Sequence, residues 1–511
     1  MDNKTMMQCF EWYLPENGLH WKQLAAQAAS LKAAGINMVW LPPAYKGAAG
    51  AGSVGYDVYD LYDLGEFDQK GTIATKYGTR EDYLQAVSAL QQEGIEVICD
   101  IVLNQRMGAD ETEEVMAEEE LNTNRNQDIS GSQKIRAWTR FDFPGRAGKY
   151  SDFRWNAAHF SGTDWDDATK RGGIFRFDGK QWNRETDTEN GNYDYLMGVD
   201  LDTDHPDVIR ETHAWGKWYL DTVHMDGFRL DAVKHIGFDF YREWISDMRV
   251  YAQEKTGKEL FIVGEYWAND IGKLLHYLDV TAGSLCLFDV PLHFKFLQAA
   301  TSDGRFDMRT LFDHTLTGKD PAHAVTFVDN HDTQPGQALY SFIPAWFKPL
   351  AYAMILLRAV GVPCVFYGDY YGIPHDGIAP VDCLPKLLKI RECYAYGEEH
   401  LYFDDASIVG FTREGDDAHA DSGIAVLLTD SVGGRKRMYV GMRLAGVQMV
   451  DAMGKCMEQV LVGADGWGEF PVDGGSVSVW VLEKAGLQNF AHDMMSAREK
   501  KMCEVNTECQ T

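Results

Sequence analysis

Hydrophobic positions along the chain follow two spacings in turn, one typical of helices and one typical of short buried strands. Trp21, Leu24, Ala28 and Leu31 recur at helical spacing, and the apolar run 36–41 follows them, stopped by two prolines. The same succession repeats and predicts eight strands that begin near residues 6, 36, 95, 226, 260, 285, 324 and 362. Strands alternating with helices form parallel sheets, and eight such units close into a (β/α)8 TIM barrel with its active site at the C-terminal strand ends. The expected fold class is α/β.

Two stretches interrupt this repeat. Roughly 120 residues separate the third and fourth strands, far more than a connection needs, so an inserted, irregular β-rich domain is expected over 104–204. From about residue 398 the pattern changes to period two between Gly and Asp turns, which predicts a C-terminal antiparallel β-sandwich over 398–484. The barrel then occupies 1–103 and 205–397, and residues 485–511 form a tail.

Composition and charge restrict the partners. The chain of 511 residues carries a formal net charge of −29, which argues against nucleic acid and acidic membranes because phosphates favour basic grooves. The first ten residues lack the basic and apolar regions of a secretory signal, and no apolar run reaches the length of a membrane span. The nine cysteines are scattered, without a C-x-x-C pair. We expect a cytoplasmic, reduced protein.

Candidate chemistry centres on the stretch D-G-F-R-L-D-A-V-K-H at 226–235. Side chains alternate along a strand, so Arg229 and Asp231 point the same way, and the guanidinium is expected to keep the carboxylate ionised. Taken alone, this could be a structural ion pair. Glu265 and Asp332 also follow apolar runs, however, and a barrel gathers the C-terminal ends of its strands around one pocket.

Four motifs in this order resemble the α-amylases, a family of starch-acting glycoside hydrolases. They are D-I-V-L-N at 100–104, G-F-R-L-D-A-V-K-H at 227–235, G-E-Y-W at 264–267 and F-V-D-N-H-D at 327–332. The resemblance covers nearly the whole chain and is greatest to cytoplasmic bacterial α-amylases. It implies that Asp231 is the nucleophile and Glu265 the general acid/base. It further implies that Asp332 stabilises the transition state.

The resemblance also implies a set of substrate-binding residues. Sugar rings pack on aromatic faces, and Tyr56 matches the family's stacking tyrosine. The complete expected set is Tyr56, Gln105, Arg229, Lys234, His235, Trp267 and His331. One member departs from the family, whose first motif normally ends Asn-His where this chain has Asn104-Gln105. A glutamine amide can donate a hydrogen bond but cannot become cationic, so reduced activity is expected.

A structural calcium ion is the expected cofactor. Calcium prefers carboxylate, amide and carbonyl oxygens, and the resemblance implies that Asn104, Asp194, Asp200 and the backbone carbonyl of His235 bind it. The alternative is an acidic loop that faces water. Further metals beside this ion would suit Asp202 and Asp204, but two positions expected to be acidic are Ser161 and Asn183. The sequence therefore predicts one calcium ion.

The expected function is endo-acting hydrolysis of α-1,4-glucosidic bonds in starch, glycogen or malto-oligosaccharides, with retention of anomeric configuration. The expected partner is an α-glucan, and we expect a monomer. Two alternatives stay open. One is a related α-glucan hydrolase or transglycosylase of other specificity, which the same acids would serve. The other is a non-catalytic carbohydrate-binding barrel, which would be expected to lack one of the three acids.

Overall fold

A closed barrel of eight parallel strands forms the centre of the protein in the computed structural model, which describes residues 3–483. The predicted tail, 485–511, lies outside the described residues. The barrel strands are β1 Met6–Gln8, β2 Met38–Leu41, β3 Glu96–Ile101, β4 Gly227–Leu230, β5 Phe261–Gly264, β6 Cys286–Phe288, β7 Ala324–Phe327 and β8 Val362–Phe366. β1 pairs with both β2 and β8, which closes the barrel. The predicted fold class is confirmed.

Helices surround the barrel and cover its apolar outer face. The longer ones are His20–Ala33, Arg80–Gln92, Pro206–Val223, Phe238–Thr256, Ile271–Val280, Val290–Ala300, Lys348–Leu357 and Leu384–Cys393. The first buries Trp21, Leu24, Ala28 and Leu31, the positions whose spacing predicted it. Thr79 and Asp82 form a reciprocal capping box at the start of the second, which satisfies amide groups that have no partner within the helix. Within residues 3–483, the helices are all too short or too polar to cross a membrane.

The segment between β3 and the helix Pro206–Val223 folds into a seven-stranded sheet. Its strands are Gln105–Arg106, Glu111–Leu121, Asn124–Asp128, Gln133–Arg140, Phe160–Asp166, Arg171–Phe177 and Val199–Leu201. The first and last strands pair with each other, with Gln105 opposite Asp200. The two ends of the insertion are therefore joined directly above β3.

Two antiparallel sheets form the C-terminal domain and pack across an apolar core that includes Leu427, Met438, Phe470 and Trp480. The six-stranded sheet contains Glu399–Tyr402, Ile408–Arg413, Ile424–Thr429, Gln448–Asp451, Gln459–Leu461 and Ser476–Leu482, and the two-stranded sheet contains Gly434–Tyr439 and Trp467–Val472. This agrees with the predicted antiparallel architecture. The domain limits chosen from the sequence remain a prediction.

Candidate active site

Strand register brings two of the predicted acids together. Leu230 pairs with Gly264 across β4 and β5, and each strand is followed immediately by an acid, Asp231 or Glu265. The amide of Glu265 donates to the carbonyl of Leu230 at 2.9 Å. Since paired positions on parallel strands end at the same edge, the two carboxyls lie side by side at the C-terminal face of the barrel.

Arg229 is the cation at the centre of this site. Its Nη1 donates to Asp100 Oδ1 at 2.9 Å and to Asp231 Oδ1 at 2.7 Å, and its Nη2 donates to Glu265. The guanidinium and these three carboxyls are all buried. One positive charge is therefore shared among acids from β3, β4 and β5.

The sharing of one positive charge alters the expected ionisation of Asp231. Burial raises the pKa of Asp231 well above its ordinary value, and Arg229 acts in the opposite direction while Glu265, Asp100 and Asp332 add to the increase. The expectation that Arg229 lowers the pKa of Asp231 and so keeps the carboxyl ionised is therefore wrong, because burial outweighs the guanidinium. A guanidinium that serves several carboxyls offsets only part of the cost of removing each from water.

Asp332 lies on the open side of the group, with its side chain 24% exposed. Its pKa is raised to about 7, first by burial and then by the charge of Glu265. The neighbouring His331 Nε2 is 3.5 Å from Asp332 Oδ2, and Gln8 Nε2 lies 3.1 Å from His331 Nδ1. Burial and Arg229 lower the pKa of His331 well below its ordinary value. A neutral ring that accepts from Gln8 carries its proton on Nε2, towards Asp332.

Aromatic rings form one wall beside these acids. Tyr56 stacks on His331 with ring centroids 5.0 Å apart, and Trp12 stacks on Tyr56 at 6.1 Å. The Tyr56 hydroxyl donates to Asp100 Oδ2 at 2.9 Å. Tyr56 and Trp12 are half-buried, so each keeps surface for a ligand. The aromatic wall is therefore bonded to Asp100, the same carboxyl that accepts a hydrogen bond from Arg229.

The other predicted binding residues lie further from this centre. Gln105 is buried, and its Nε2 donates to the backbone carbonyl of Tyr56 at 3.0 Å. Lys234 Nζ contacts Glu189 Oε2 at 3.0 Å, and His235 Nδ1 is 2.6 Å from the Tyr193 carbonyl, so both face the insertion. The half-buried Trp267 packs against Phe327 and His293.

Carboxyls also gather where the insertion meets the barrel. Asp194 and Asp200 are buried, and Asp202 and Asp204 lie close enough to affect their ionisation. We call these four residues the insertion acids. Burial raises the pKa of Asp194 to about 7, with repulsion from Asp204 and Asp202 adding to the effect. Asp200 Oδ2 is a buried oxygen for which the described residues provide no hydrogen-bond partner.

Two cations of the chain itself reach the insertion acids. Lys180 Nζ hydrogen-bonds Asp202 and the carbonyl of Ala158. The buried Arg125 lowers the pKa of both Asp194 and Asp200 through its charge. Two positive charges therefore face four carboxyls.

Two further clusters of metal-ligating side chains occur among the described residues, His159–His205–Asp207 and Glu398–His400–Glu414. In the first, both rings accept a backbone N–H at Nδ1, from Asn156 and from Asp207, each at 3.1 Å. A neutral ring of this kind is protonated at Nε2, so it presents a donor where a metal needs a lone pair. This cluster is explained by local hydrogen bonding.

Comparison with known families matches most of the chain. Residues 21–384 match the model for the α-amylase catalytic domain, and residues 424–481 match the model for the α-amylase C-terminal domain.

This chain belongs to the α-amylase family.

Close relatives of the chain are named α-amylases. The chain is 54% identical to an α-amylase of Geobacillus stearothermophilus over 96% of this chain and 89% of that protein. It is 44% identical to the cytoplasmic α-amylase of Escherichia coli (strain K12), over 95% of this chain and all of the relative. The α-amylase of Geobacillus thermoleovorans complexed with acarbose shares the fold, with a TM-score of 0.62 at 18% identity, over 95% of this chain and 99% of that one. The protein is an enzyme of the glycoside hydrolase class.

Several site residues of this α-amylase escaped sequence reasoning. Asp100 belongs to the first motif but has no predicted role, although an acid inside the apolar run 98–103 is a signal for a buried, paired carboxyl. Gln8 contacts His331 across 323 positions, and Lys180 and Arg125 lie in polar stretches. No local pattern in the sequence marks Gln8, Lys180 or Arg125 as a site residue.

Arg229→Gln tests the shared cation. Its charge lowers the pKa of Asp231 and of Asp332, so its removal raises both pKa values. The acidic limb of the kcat/KM profile for starch then moves to higher pH, because more of each carboxyl stays protonated at a given pH. Loss of one partner of a buried ion pair also lowers kcat/KM by about a hundredfold or more.

The control is Arg210→Gln, which removes an exposed arginine paired with Asp207. It is expected to leave the profile in place, since exposed pairs contribute little. An Arg229→Gln enzyme with an unshifted acidic limb would contradict the role of Arg229.

Proposed function

We propose that this α-amylase cleaves internal α-1,4-glucosidic bonds of starch, glycogen or malto-oligosaccharides with retention of configuration. The observation that carries the proposal is that one guanidinium, Arg229, bonds both Asp231 and Glu265. Retaining glycosidases need their two carboxyls only about 5 Å apart, and a shared guanidinium keeps them close.

In the proposed reaction Glu265 donates a proton to the glycosidic oxygen while an Asp231 oxygen attacks the anomeric carbon. The bond to the leaving sugar breaks, and a covalent glucosyl ester forms on Asp231. Glu265 then removes a proton from water, which attacks the same carbon and releases Asp231. Arg229 supports this cycle because it stabilises the charge that returns to Asp231 when the ester is cleaved.

Asp332 and His331 are proposed to hold hydroxyls of the sugar undergoing cleavage. Asp332 offers acceptor oxygens on the open side of the acids, and the Nε2 proton of His331 points the same way. Tyr56 supplies a stacking face, and Trp267, Lys234 and His235 extend the contact surface. The relative named glucan 1,4-alpha-maltohexaosidase, 51% identical over 94% of this chain and 92% of its own length, suggests that product length varies between close relatives.

Proton NMR of fresh products from a linear α-1,4-glucan tests the proposal. New α-anomeric ends on oligomers of intermediate size are expected, because two displacements restore the starting configuration. Glu265→Gln is expected to abolish them, since an amide cannot donate the proton that the leaving oxygen needs. Glucose alone, or branched products, would favour another α-glucan specificity.

Gln105 is proposed to limit the rate. Its amide donates to the Tyr56 carbonyl, while its buried Oε1 has no hydrogen-bond partner among the described residues. Gln105→His, which restores the family residue, is expected to raise kcat/KM by about tenfold, since a hydrogen bond made in the transition state contributes about 1–3 kcal/mol. Gln105→Asn serves as the control, because it keeps the amide and is expected to bring no gain. An unchanged kcat/KM for Gln105→His would disprove this idea.

We further propose one structural calcium ion, bound by Asn104, Asp194, Asp200 and the His235 carbonyl. The residues fit such an ion: Asp200 Oδ2 is a buried oxygen with no hydrogen-bond partner within the described residues, and the buried Asn104 carries an amide oxygen of the kind that calcium binds. When bound, calcium would neutralise charge and join the insertion to the barrel. Four carboxyls against Lys180 and Arg125 leave two negative charges, which one divalent cation balances.

Calcium content tests this assignment independently of activity. The purified protein is expected to hold one calcium per chain by elemental analysis, and its removal by chelation is expected to lower the thermal midpoint, because an ion that binds only the folded state stabilises it. Asp200→Asn is expected to lose the ion. Asp207→Asn, in the other acidic and histidine cluster of this region, is expected to keep it. Two calcium ions per chain, or none, would contradict the proposal.

The proposed setting is the cytoplasm, with the enzyme a monomer. The Escherichia coli relative is named a cytoplasmic α-amylase, which supports the location. Five cysteines among residues 3–483 are free thiols, which suits a reducing compartment: Cys99, Cys286, Cys364, Cys393 and Cys456.

A further inference from the structure

A glutamine amide lies inside the barrel at the end of β1. Gln8 is the last residue of that strand, where it pairs with Trp40 on β2 and with Phe366 on β8. Gln8 is buried, and its Nε2 lies 3.1 Å from Nδ1 of His331. A buried amide costs free energy unless it is hydrogen-bonded. The contact with His331 meets this need.

The ring of His331 is held in one orientation. Its plane lies within 12° of the planes of both Trp12 and Tyr56. Four aromatic rings surround it, with ring centroids no more than 6.0 Å away: Phe10, Trp12, Trp40 and Tyr56. The two ring nitrogens therefore keep fixed directions, with Nδ1 towards Gln8 and Nε2 towards Asp332.

One proton arrangement satisfies both edges of this ring. Burial and the charge of Arg229 lower the pKa of His331 well below its ordinary value, so the ring is neutral at neutral pH and carries a proton on one nitrogen. A proton on Nε2 faces the carboxyl of Asp332, whose Oδ2 is 3.5 Å away. Nδ1 then presents a lone pair, which accepts from the amide of Gln8.

The opposite arrangement turns two acceptors towards each other. With its proton on Nδ1, His331 would present the lone pair of Nε2 to the oxygens of Asp332. It would then also lack a donor on the side where the proposed sugar lies. A donor at position 8 favours the first arrangement, because it needs a lone pair at Nδ1.

We propose that Gln8 is a positioning residue that keeps the proton of His331 on Nε2, where it donates to a hydroxyl of the sugar undergoing cleavage. The inference rests on the sugar contact of His331 in the proposed function. Gln8 does not touch the sugar, because it is buried on the Nδ1 side of the ring, away from Asp332. It acts through the ring of His331.

Nitrogen NMR of enzyme labelled in its histidine rings tests the proton position directly. A ring nitrogen that carries a proton and one that carries a lone pair give separate signals, and the signals of His331 are those missing from His331→Asn. In the wild-type enzyme the proton is expected on Nε2. Gln8→Glu is expected to place a proton on Nδ1, because a carboxylate accepts a hydrogen bond and does not donate one.

The matched control is Gln27→Glu, the same change at another buried glutamine of the barrel region. Gln27 Oε1 accepts from the hydroxyl of Tyr371 at 2.8 Å, and a carboxylate oxygen accepts that bond equally well. Gln27→Glu is therefore expected to leave both the proton position of His331 and kcat/KM unchanged.

Kinetics with a short malto-oligosaccharide separate a positioning role from a general loss of stability. Gln8→Glu is expected to lower kcat/KM about tenfold, chiefly through kcat, because a hydrogen bond that strengthens in the transition state is lost. In a His331→Asn background the same change is expected to cause no further loss. Two residues that act through one contact are not additive.

Three results would overturn the inference. The first is a wild-type His331 with its proton on Nδ1, which needs no substitution to observe. The second is a proton position that stays the same in Gln8→Glu. The third is an equal loss of kcat/KM from Gln8→Glu with and without His331. Because the NMR measurement needs no turnover, an enzyme with the expected proton position that hydrolyses no α-glucan would contradict the proposed function and support the link between Gln8 and His331.

Discussion

A single buried guanidinium holds the charged centre of this enzyme together. Asp100, Asp231 and Glu265 come from three neighbouring barrel strands, and each bonds Arg229. Removing three carboxyls from water is expensive, and the only direct compensation among these four side chains is one positive charge. The acids therefore depend on strand register, since a slip of one residue would turn Arg229 away from the pocket.

The barrel and the positions of its acids could be predicted from the sequence, because both depend on local patterns. Apolar runs and helical spacing mark the strands and helices, and an acid directly after a run lies at the C-terminal face whatever the rest of the chain does. The ionisation of Asp231 was a different matter. A neighbouring arginine is visible in sequence, but the number of other carboxyls that share it, and the depth at which they lie, depend on contacts between distant strands. The sequence does not show that Asp100 and Glu265 also surround Arg229. It therefore does not show that burial affects the pKa of Asp231 more than the guanidinium does.

For the insertion, too, the sequence predicts position and residue types but not the contacts between distant strands. Its position could be predicted from the excess length between β3 and β4, and its acids from their residue types. That Lys180 reaches Asp202, and that Arg125 lies near Asp194 and Asp200, follows from pairing among seven strands. The strand Gln105–Arg106 links both regions, because the Gln105 side chain bonds the Tyr56 carbonyl beside the catalytic acids and Gln105 pairs with Asp200, one of the insertion acids. A disturbance at the base of the insertion would therefore be transmitted to the aromatic wall within two residues.

Lys180 gives the insertion a counter-ion that belongs to the polypeptide. A bound metal stabilises a fold only to the extent that its free concentration exceeds its dissociation constant. An ammonium attached to the backbone has no such dependence, because it cannot be diluted, exchanged or removed by a chelator. Because Lys180 neutralises Asp202, part of the insertion keeps its conformation independently of the free metal-ion concentration.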